Sequence, residues 1–245
     1  KWVTGESVEV DIEETKLFVY KKGLFYLAGR EGLLLKRTMR KRSSKAKFEI
    51  AKKSANLLFM IPTIKAVAIT GALAMGNADE DSDIDLMIIT TKDTLWITRL
   101  ISLFVLKVFG FDVRRYGQGN EKDKLCLNIW LDEDKLAWDK KRRNVYTAHE
   151  IAQAKPLVNK KGTFNRFIKE NLWIKEYWPN AVQARGEAKL EKDEKSVLSL
   201  FEPLARKMQF NYMHGKRTRE VVTKKRALFH PVDWSELVLT KLGAT

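Results

Sequence analysis

The chain has 245 residues, 44% of them apolar, and seven Trp, so its composition excludes a disordered protein and allows a sizeable buried core. Its single cysteine, Cys126, excludes a disulfide framework and a cysteine-based metal site, and it favours a reducing, cytoplasmic location. The formal net charge of +15 favours polyanionic partners, either nucleoside triphosphates or nucleic acids, unless the surface lysines serve only solubility.

The N-terminal region begins at Lys1 rather than at a methionine, so we expect the sequence to be a piece of a longer protein. Residues 16–20 predict one weak strand, and residues 33–42 predict a basic helix. Ser43 and Ser44 are expected to cap a second helix that ends before Pro62. The apolar stripe of this second helix comprises Phe48, Ala51, Ala55 and Leu58.

The first of these helices carries a basic run made up of Arg37, Arg40, Lys41 and Arg42. Such a run is typical of a nucleic-acid contact, but it is also typical of a helix face that is merely solvated. We favour the solvated face.

The central stretch, residues 67–91, reads VAITGALAMGNADEDSDIDLMIITT. Two short apolar runs rich in β-branched residues flank a loop of small and acidic residues, which predicts two strands joined by that loop. Successive side chains of a strand face opposite ways, so Asp83 and Asp85 are expected on one face. Two adjacent carboxylates repel each other unless a cation lies between them, and such hard oxygen ligands suit Mg²⁺.

After this stretch the pattern predicts a long buried helix from residue 92 to Val108, with Gly110 as its left-handed C-terminal cap. The longest apolar segment, residues 100–111, is interrupted by Lys107 and is shorter than the roughly 20 residues that span a bilayer, so we expect no membrane partner. Residues 111–116 and 124–131 predict a third and a fourth strand joined as a hairpin. The fold class is therefore α/β, with a small mixed sheet and flanking helices.

Beyond Asp132 the chain is predicted to be mostly helical, with a charged loop at residues 183–195 and a basic run at residues 216–219. The predicted organisation is an N-terminal accessory region (1–62), a core (63–133) and a helical C-terminal region (134–245). The helices expected in the last region span residues 134–140, 145–154, 164–178 and 197–213.

The central stretch resembles the signature of the DNA polymerase β-like nucleotidyltransferase superfamily, in which a Gly-Ser turn precedes a loop and an Asp-x-Asp pair. Gly71, Gly76 and the segment 82–86 (Ser-Asp-Ile-Asp-Leu) fall on that pattern in order. The serine of the turn is Ala72 here, so one hydroxyl contact to phosphate is missing, although backbone amides around Gly71 can still form a phosphate cradle. Most of the remaining chain, including residues 25–37 and 146–150, is similar to bacterial nucleotidyltransferase-domain proteins with no known substrate.

The resemblance implies a metal-dependent enzyme that transfers a nucleoside monophosphate from a nucleoside triphosphate to an acceptor hydroxyl. Asp83 and Asp85 would hold two Mg²⁺ ions, and Gly71, Ala72, Gly76 and Ser82 would bind the nucleotide. The acceptor stays open among a nucleic-acid end, a protein side chain and a small molecule. The alternative is a catalytically weak or inactive protein of the same fold that binds nucleic acid, non-specifically and electrostatically, or a protein partner.

The third carboxylate that the family places opposite the Asp pair has two candidate positions. Asp112 begins the predicted third strand, and Asn128 lies in the predicted fourth strand, on the face shared with Cys126 and Trp130. An asparagine lends an oxygen to a metal but has no charge and cannot act as a base. We lean toward Asp112. One of Arg114 and Arg115 is expected to contact the triphosphate.

Overall fold

A six-stranded mixed sheet forms the centre of the protein in a computed structural model that describes residues 17–21, 23–115, 119–181, 196–215, 220–229 and 234–243. Its strands lie in the order β6-β3-β4-β5-β8-β7, and only the β4–β5 pair is parallel. The strands are β3 (Ile64–Ile69), β4 (Ile84–Thr90), β5 (Leu125–Asp132), β6 (Lys155–Asn159), β7 (Val221–Val222) and β8 (Arg226–Leu228). A separate antiparallel hairpin precedes them, formed by β1 (Phe18–Lys21) and β2 (Leu24–Leu27). The predicted α/β class is confirmed.

Helices cover both faces of the sheet. They are α1 (Gly32–Phe59), α2 (Gly71–Ala74), α3 (Leu95–Val108), α4 (Val145–Gln153), α5 (Thr163–Glu170), α6 (Glu202–Met213) and α7 (Trp234–Leu242). One apolar core packs α1, α3 and α6 on one face, and a second core packs α4 and α5 on the other. Strand alternation divides β4 between the two cores: Leu86 and Ile88 join the first, Met87 and Ile89 the second. Asp83 and Asp85 have the same parity as Met87 and thus belong to the α4 side.

The N-terminal half of the chain departs from prediction at α1. Residues 33–59 form one continuous helix, so the expected break and cap at Ser43 and Ser44 are wrong. Both serines lie in the middle of α1 and bond to the loop before β4 instead, with Ser43 Oγ donating to Asp79 O (2.8 Å) and Ser44 Oγ accepting from Ala78 N (3.0 Å). Because both hydroxyls bond to this loop, they do not compete for the backbone groups of α1, and the helix continues through these positions.

The predicted third strand is also wrong within the described residues. Only Val113 pairs with β5, through one parallel bridge to Leu125, so residues 111–115 do not form a hairpin with β5. The long helix α3 is confirmed, and Gly110 adopts the expected left-handed conformation (φ 77°). The burial predicted for α3 is too high, because Phe104 and Val108 are 68% and 62% exposed.

The C-terminal region contains three strands that the sequence pattern did not predict. β6, β7 and β8 all join the central sheet, so residues beyond 134 complete the fold. The helices at 145–154 and 197–213 are confirmed in outline, as α4 and as a 3₁₀ turn followed by α6, whereas 164–178 divides into α5 and a 3₁₀ segment. The helix expected at 134–140 is replaced by turns, and the segment 183–195, the run 216–219 and the His230-Pro231 pair lie outside the described residues. No helix in the described part of the chain has the length and apolarity needed to cross a membrane.

Candidate active site

Asp83 and Asp85 lie where β4 begins. Because β3 runs antiparallel to β4, the turn that follows β3 lies at the same end of the sheet. The carboxylates of Asp83 and Asp85 and the Cys126 thiol have ligand atoms within 4.8 Å of one another. Cys126 is opposite Asp85 in the parallel register of β4 and β5. Two carboxylates therefore converge on one point, as the sequence predicts, and burial keeps both partly away from solvent.

The turn that follows β3 is packed directly against this pair. Gly71 has a left-handed backbone (φ 61°), and a Cβ atom added to it would lie 2.5 Å from Asp85 Oδ2. The backbone of the turn is held in place because Thr70 N donates to Asp85 O (3.1 Å). Only glycine satisfies both the backbone conformation and the close approach to the carboxylate. Ala72 follows within the short helix α2.

The loop between Gly76 and Ser82 is fixed by α1 rather than left mobile in solvent. Lys47 is fully buried, and its ammonium donates to Glu80 O (3.0 Å), Ser82 O (2.7 Å) and Asp123 Oδ1 (2.6 Å). Three acceptors satisfy the three donors of an ammonium group, which offsets the desolvation of its charge. Lys47 thus fixes the segment that leads straight into Asp83.

Two members of the predicted basic run contact the same loop. Arg37 Nη1 donates to Gly76 O (3.4 Å), and Arg40 Nη1 donates to Asn77 Oδ1 (3.3 Å). Arg40 also pairs with Asp79 at 3.8 Å. These two arginines contact the loop that leads into Asp83. Lys41 and Arg42 are exposed.

Asn128, rather than Asp112, lies beside the aspartate pair. Asn128 is 5% exposed, and its Nδ2 donates to Asp85 Oδ1 (2.6 Å). Strand alternation places Asn128 on the same face as Cys126, which is opposite Asp85. Between Cys126 and Ile129, β5 has one more residue than the facing part of β4, which forms a bulge. The bulge reverses the alternation after it, so Trp130 points into the opposite core, contrary to expectation. The side chain of Asp112 is exposed, and its backbone O accepts from Leu125 N (2.8 Å).

Of the two arginines predicted to be near the triphosphate, Arg114 contacts the aspartate pair. Its Nη1 lies 2.8 Å from Asp83 Oδ2, and its Nη2 pairs with Glu121. Arg115 is exposed. The guanidinium neutralises part of the charge of the pair and leaves a half-buried donor group at the rim.

A further carboxylate, Glu150 on α4, was not foreseen. It is half-buried, and its Oε1 accepts from Gln153 Nε2 (2.6 Å). Helix α4 packs against α2 and ends where Lys155 pairs with Ile69, the last residue of β3, so this helix borders the Gly71 turn. Burial and repulsion from Asp83 are the main causes of the raised pKa of Asp85, and the charge of Glu150 raises it further. The sequence offered one signal, an acid inside the amphipathic pattern of α4, but periodicity alone does not show which edge of a sheet a helix will reach.

Electrostatics at the site favour proton binding. Burial, followed by repulsion from Asp83, raises the pKa of Asp85 to about 7. Burial also raises the pKa of Glu150, and it raises the pKa of the Cys126 thiol so far that the sulfur stays protonated at neutral pH. A cation between the two aspartates would relieve this repulsion and return Asp85 to its charged form.

No protein-family model matches the chain, and no curated protein is significantly similar to it in sequence. The indications of its function therefore come from the geometry and chemistry of the site.

Proposed function

We propose that this protein is a metal-dependent nucleotidyltransferase that moves a nucleoside monophosphate from a nucleoside triphosphate to an acceptor hydroxyl. The observation that carries the proposal is the approach of the left-handed Gly71 turn to Asp85, beside a second carboxylate, Asp83. A backbone turn without side chains lets N–H groups approach a phosphate closely, and paired carboxylates bind the cations that accompany it.

The side chains present fit Mg²⁺. Asp83 and Asp85 supply hard carboxylate oxygens, and Asn128 Oδ1 is a buried acceptor that has no hydrogen-bond partner. A cation satisfies such an orphan oxygen, and an amide oxygen is an acceptable hard ligand. The protonated Cys126 thiol is soft and takes no part. When bound here, Mg²⁺ supplies charge neutralisation for the triphosphate and lowers the pKa of the acceptor hydroxyl.

The protein groups around the pair have separate tasks in this proposal. The Gly71–Ala72 backbone and the loop fixed by Lys47 hold the triphosphate, and the exposed Lys155 at the start of β6 adds positive charge at the same edge. Arg114 exchanges its contact with Asp83 for a contact with phosphate, for which its planar fork of donors is suited.

Glu150 is the group that we assign to receive the acceptor proton. The acceptor oxygen bonds to the α-phosphorus, the bond from that phosphorus to the bridging oxygen breaks, and pyrophosphate leaves. The proton released by the acceptor needs a base, and Asn128 cannot serve as one. Glu150 is a half-buried carboxylate on the same side of the sheet, and burial raises its pKa above the ordinary value.

Two observations favour a second function, that of a weak or inactive enzyme which binds nucleic acid or a protein partner through this fold. Asn128 stands where a third charged ligand would strengthen metal binding, and Arg114 already pairs with Asp83. Both proposals suit a cytoplasmic protein, because the one cysteine needs no oxidising environment.

Incubation with each of the labelled nucleoside triphosphates, followed by a search for label on RNA, protein and small molecules, tests the enzyme proposal. We expect label transfer that requires Mg²⁺, is abolished by Asp83→Asn or Asp85→Asn, and falls by ~10²-fold or more in Glu150→Gln. The matched control is Asp81→Asn, which alters an exposed carboxylate of the same segment.

Thermal unfolding with nucleotides separates the two functions. Stabilisation by nucleoside triphosphate only with Mg²⁺ supports the enzyme, and stabilisation by RNA alone, without label transfer, supports the binding protein. Ala72→Ser is expected to leave triphosphate binding intact, since it restores the hydroxyl found in the family that this turn resembles. A large loss of binding in the folded variant would show that the turn does not face the nucleotide.

A further inference from the structure

The hairpin of β1 and β2 presents an aromatic face to solvent. Phe18 pairs with Leu27 and Tyr20 pairs with Phe25, and residues opposite each other in an antiparallel pair point to one side. All four are exposed, by 44%, 49%, 63% and 58% respectively, and the Tyr20 and Phe25 rings lie 4.6 Å apart. The other face carries Tyr26, which is buried. The exposed face, called here the aromatic face, comprises Phe18, Tyr20, Phe25 and Leu27.

Helix α1 begins five residues after this hairpin and concentrates positive charge. It contains nine basic residues and one acidic residue, which gives it a formal net charge of +8 out of the +15 of the whole chain. Like charges four residues apart, such as Lys41 and Lys45, destabilise a helix by mutual repulsion. The cost falls when a polyanion binds, so the helix carries charge that a partner would neutralise.

The cations of α1 divide into two sets with different partners. Arg37, Arg40 and Lys47 bond to the loop before Asp83. In the described part of the chain, the other cations of its N-terminal half are exposed and form no ion pair or side-chain hydrogen bond. These unpaired cations are Lys36, Lys41, Arg42 and Lys45.

We propose that the aromatic face and the unpaired cations of α1 together bind single-stranded nucleic acid. Bases stack on the aromatic rings while phosphates contact the cations, as in other surfaces that hold unpaired strands. Helix α1 also fixes the loop that leads into Asp83, so the proposed surface and the candidate active site share this helix. Its role as the acceptor rests on the proposed transferase activity, whereas its binding does not.

The aromatic face and the unpaired cations together favour single-stranded nucleic acid as the occupant of this surface. Stacking needs unpaired bases whose faces are accessible, and a duplex hides them, so the aromatic face favours a single strand. A lipid surface would match both features, and for that reason it is one arm of the test.

Fluorescence anisotropy with labelled single-stranded RNA and DNA of about 20 nucleotides tests the proposal. The full chain is used without Mg²⁺ or nucleoside triphosphate, so turnover plays no part. We expect binding to at least one single strand, weaker binding to the duplex, and a loss of roughly tenfold or more in the Tyr20→Ala, Phe25→Ala double variant. Phe104→Ala, which removes an exposed ring from α3, is the matched control and is expected to bind like the parent.

The charged part of the surface is tested by salt dependence. The Lys41→Gln, Lys45→Gln double variant is expected to reduce the slope of log K against log salt by about 1.4, since each neutralised phosphate of a single strand contributes about 0.7. The control is Lys107→Gln, which changes an exposed lysine on α3. An unchanged slope would contradict the assignment of these cations.

Three outcomes overturn the proposal: equal affinity for single strand and duplex, no effect of the aromatic variants, or binding to phosphatidylglycerol vesicles in place of nucleic acid. Failure of the proposed activity is distinguishable from these outcomes. Asp83→Asn and Asp85→Asn abolish nucleotide transfer if the transferase proposal is right, and they leave strand binding unchanged if the surface is the one assigned here.

Discussion

Asp85→Asn is expected to stabilise the metal-free protein, and the gain should grow with pH. The pKa of Asp85 is raised from 3.8 to about 7 in the folded state. Between these two values the folded protein holds a proton that the unfolded chain releases, so the stability of the parent falls as pH rises through this window. The variant has no proton to lose at this position, and asparagine has nearly the same shape as aspartate.

The magnitude follows from the shift of about three pKa units, each equivalent to about 1.36 kcal/mol. Near pH 8 this shift lowers the free energy of unfolding of the parent by up to about 4 kcal/mol. Near pH 5 it lowers it by under about 2 kcal/mol, because the unfolded chain has released its proton only at pH values above its own lower pKa. The hydrogen bond from Asn128 Nδ2 survives, because the new amide oxygen accepts it in place of the carboxylate.

Urea unfolding in EDTA, near pH 5 and near pH 8, measures this effect. We expect the stability difference between variant and parent to widen by about 2 kcal/mol or more over that range. Asp81→Asn, an exposed change in the same segment, serves as the control and should show no such trend. A variant that is less stable than the parent near pH 8 would refute the reasoning that burial and like charge dominate at Asp85.

Three further predictions concern single contacts. Lys47→Met should destabilise the fold by about 3 kcal/mol in urea unfolding, because two loop carbonyls and a carboxylate lose their donor, whereas Lys45→Met on the exposed side should change stability little. Glu202→Ala should cost about 1–3 kcal/mol, since the Glu202 carboxylate accepts from two N–H groups in the first turn of α3, and Glu202→Gln should recover part of the loss; equal losses would exclude a capping role. Asn128→Asp should raise Mn²⁺ affinity measured by titration, and an unchanged affinity would exclude Asn128 from the metal site.

The centre of the fold was predictable because its signals are local. The strands around the Gly71 turn and the Asp83-Asp85 pair follow from β-branched runs and period-two alternation, and α3 follows from its apolar pattern and Gly110. These features depend on neighbours in sequence, which a pattern records directly.

The sheet edges escaped prediction for the opposite reason. β6 contains a proline, Pro156, and β7 has only two residues, Val221 and Val222, so neither shows a strand period. Such segments become strands only when a preformed neighbour supplies hydrogen-bond partners.

The surroundings of the site depend on tertiary packing in the same way. Lys47 is one basic residue among nine in α1, and nothing in its local sequence shows that it is buried while Lys45 is exposed. The direction of Trp130 depends on a bulge in β5 that alternation does not reveal, and the place of Glu150 depends on where α4 packs. The Asp pair could thus be named from the sequence, but its supporting residues required the fold.

The most direct test of the account is a crystal structure of the protein with Mn²⁺ and a non-hydrolysable nucleoside triphosphate. Anomalous scattering locates Mn²⁺ without reference to the protein density. The account predicts an anomalous peak within coordination distance of both Asp83 and Asp85, with the triphosphate against the Gly71 turn. A nucleotide bound elsewhere, or an aspartate pair without an anomalous peak at saturating Mn²⁺, would contradict it.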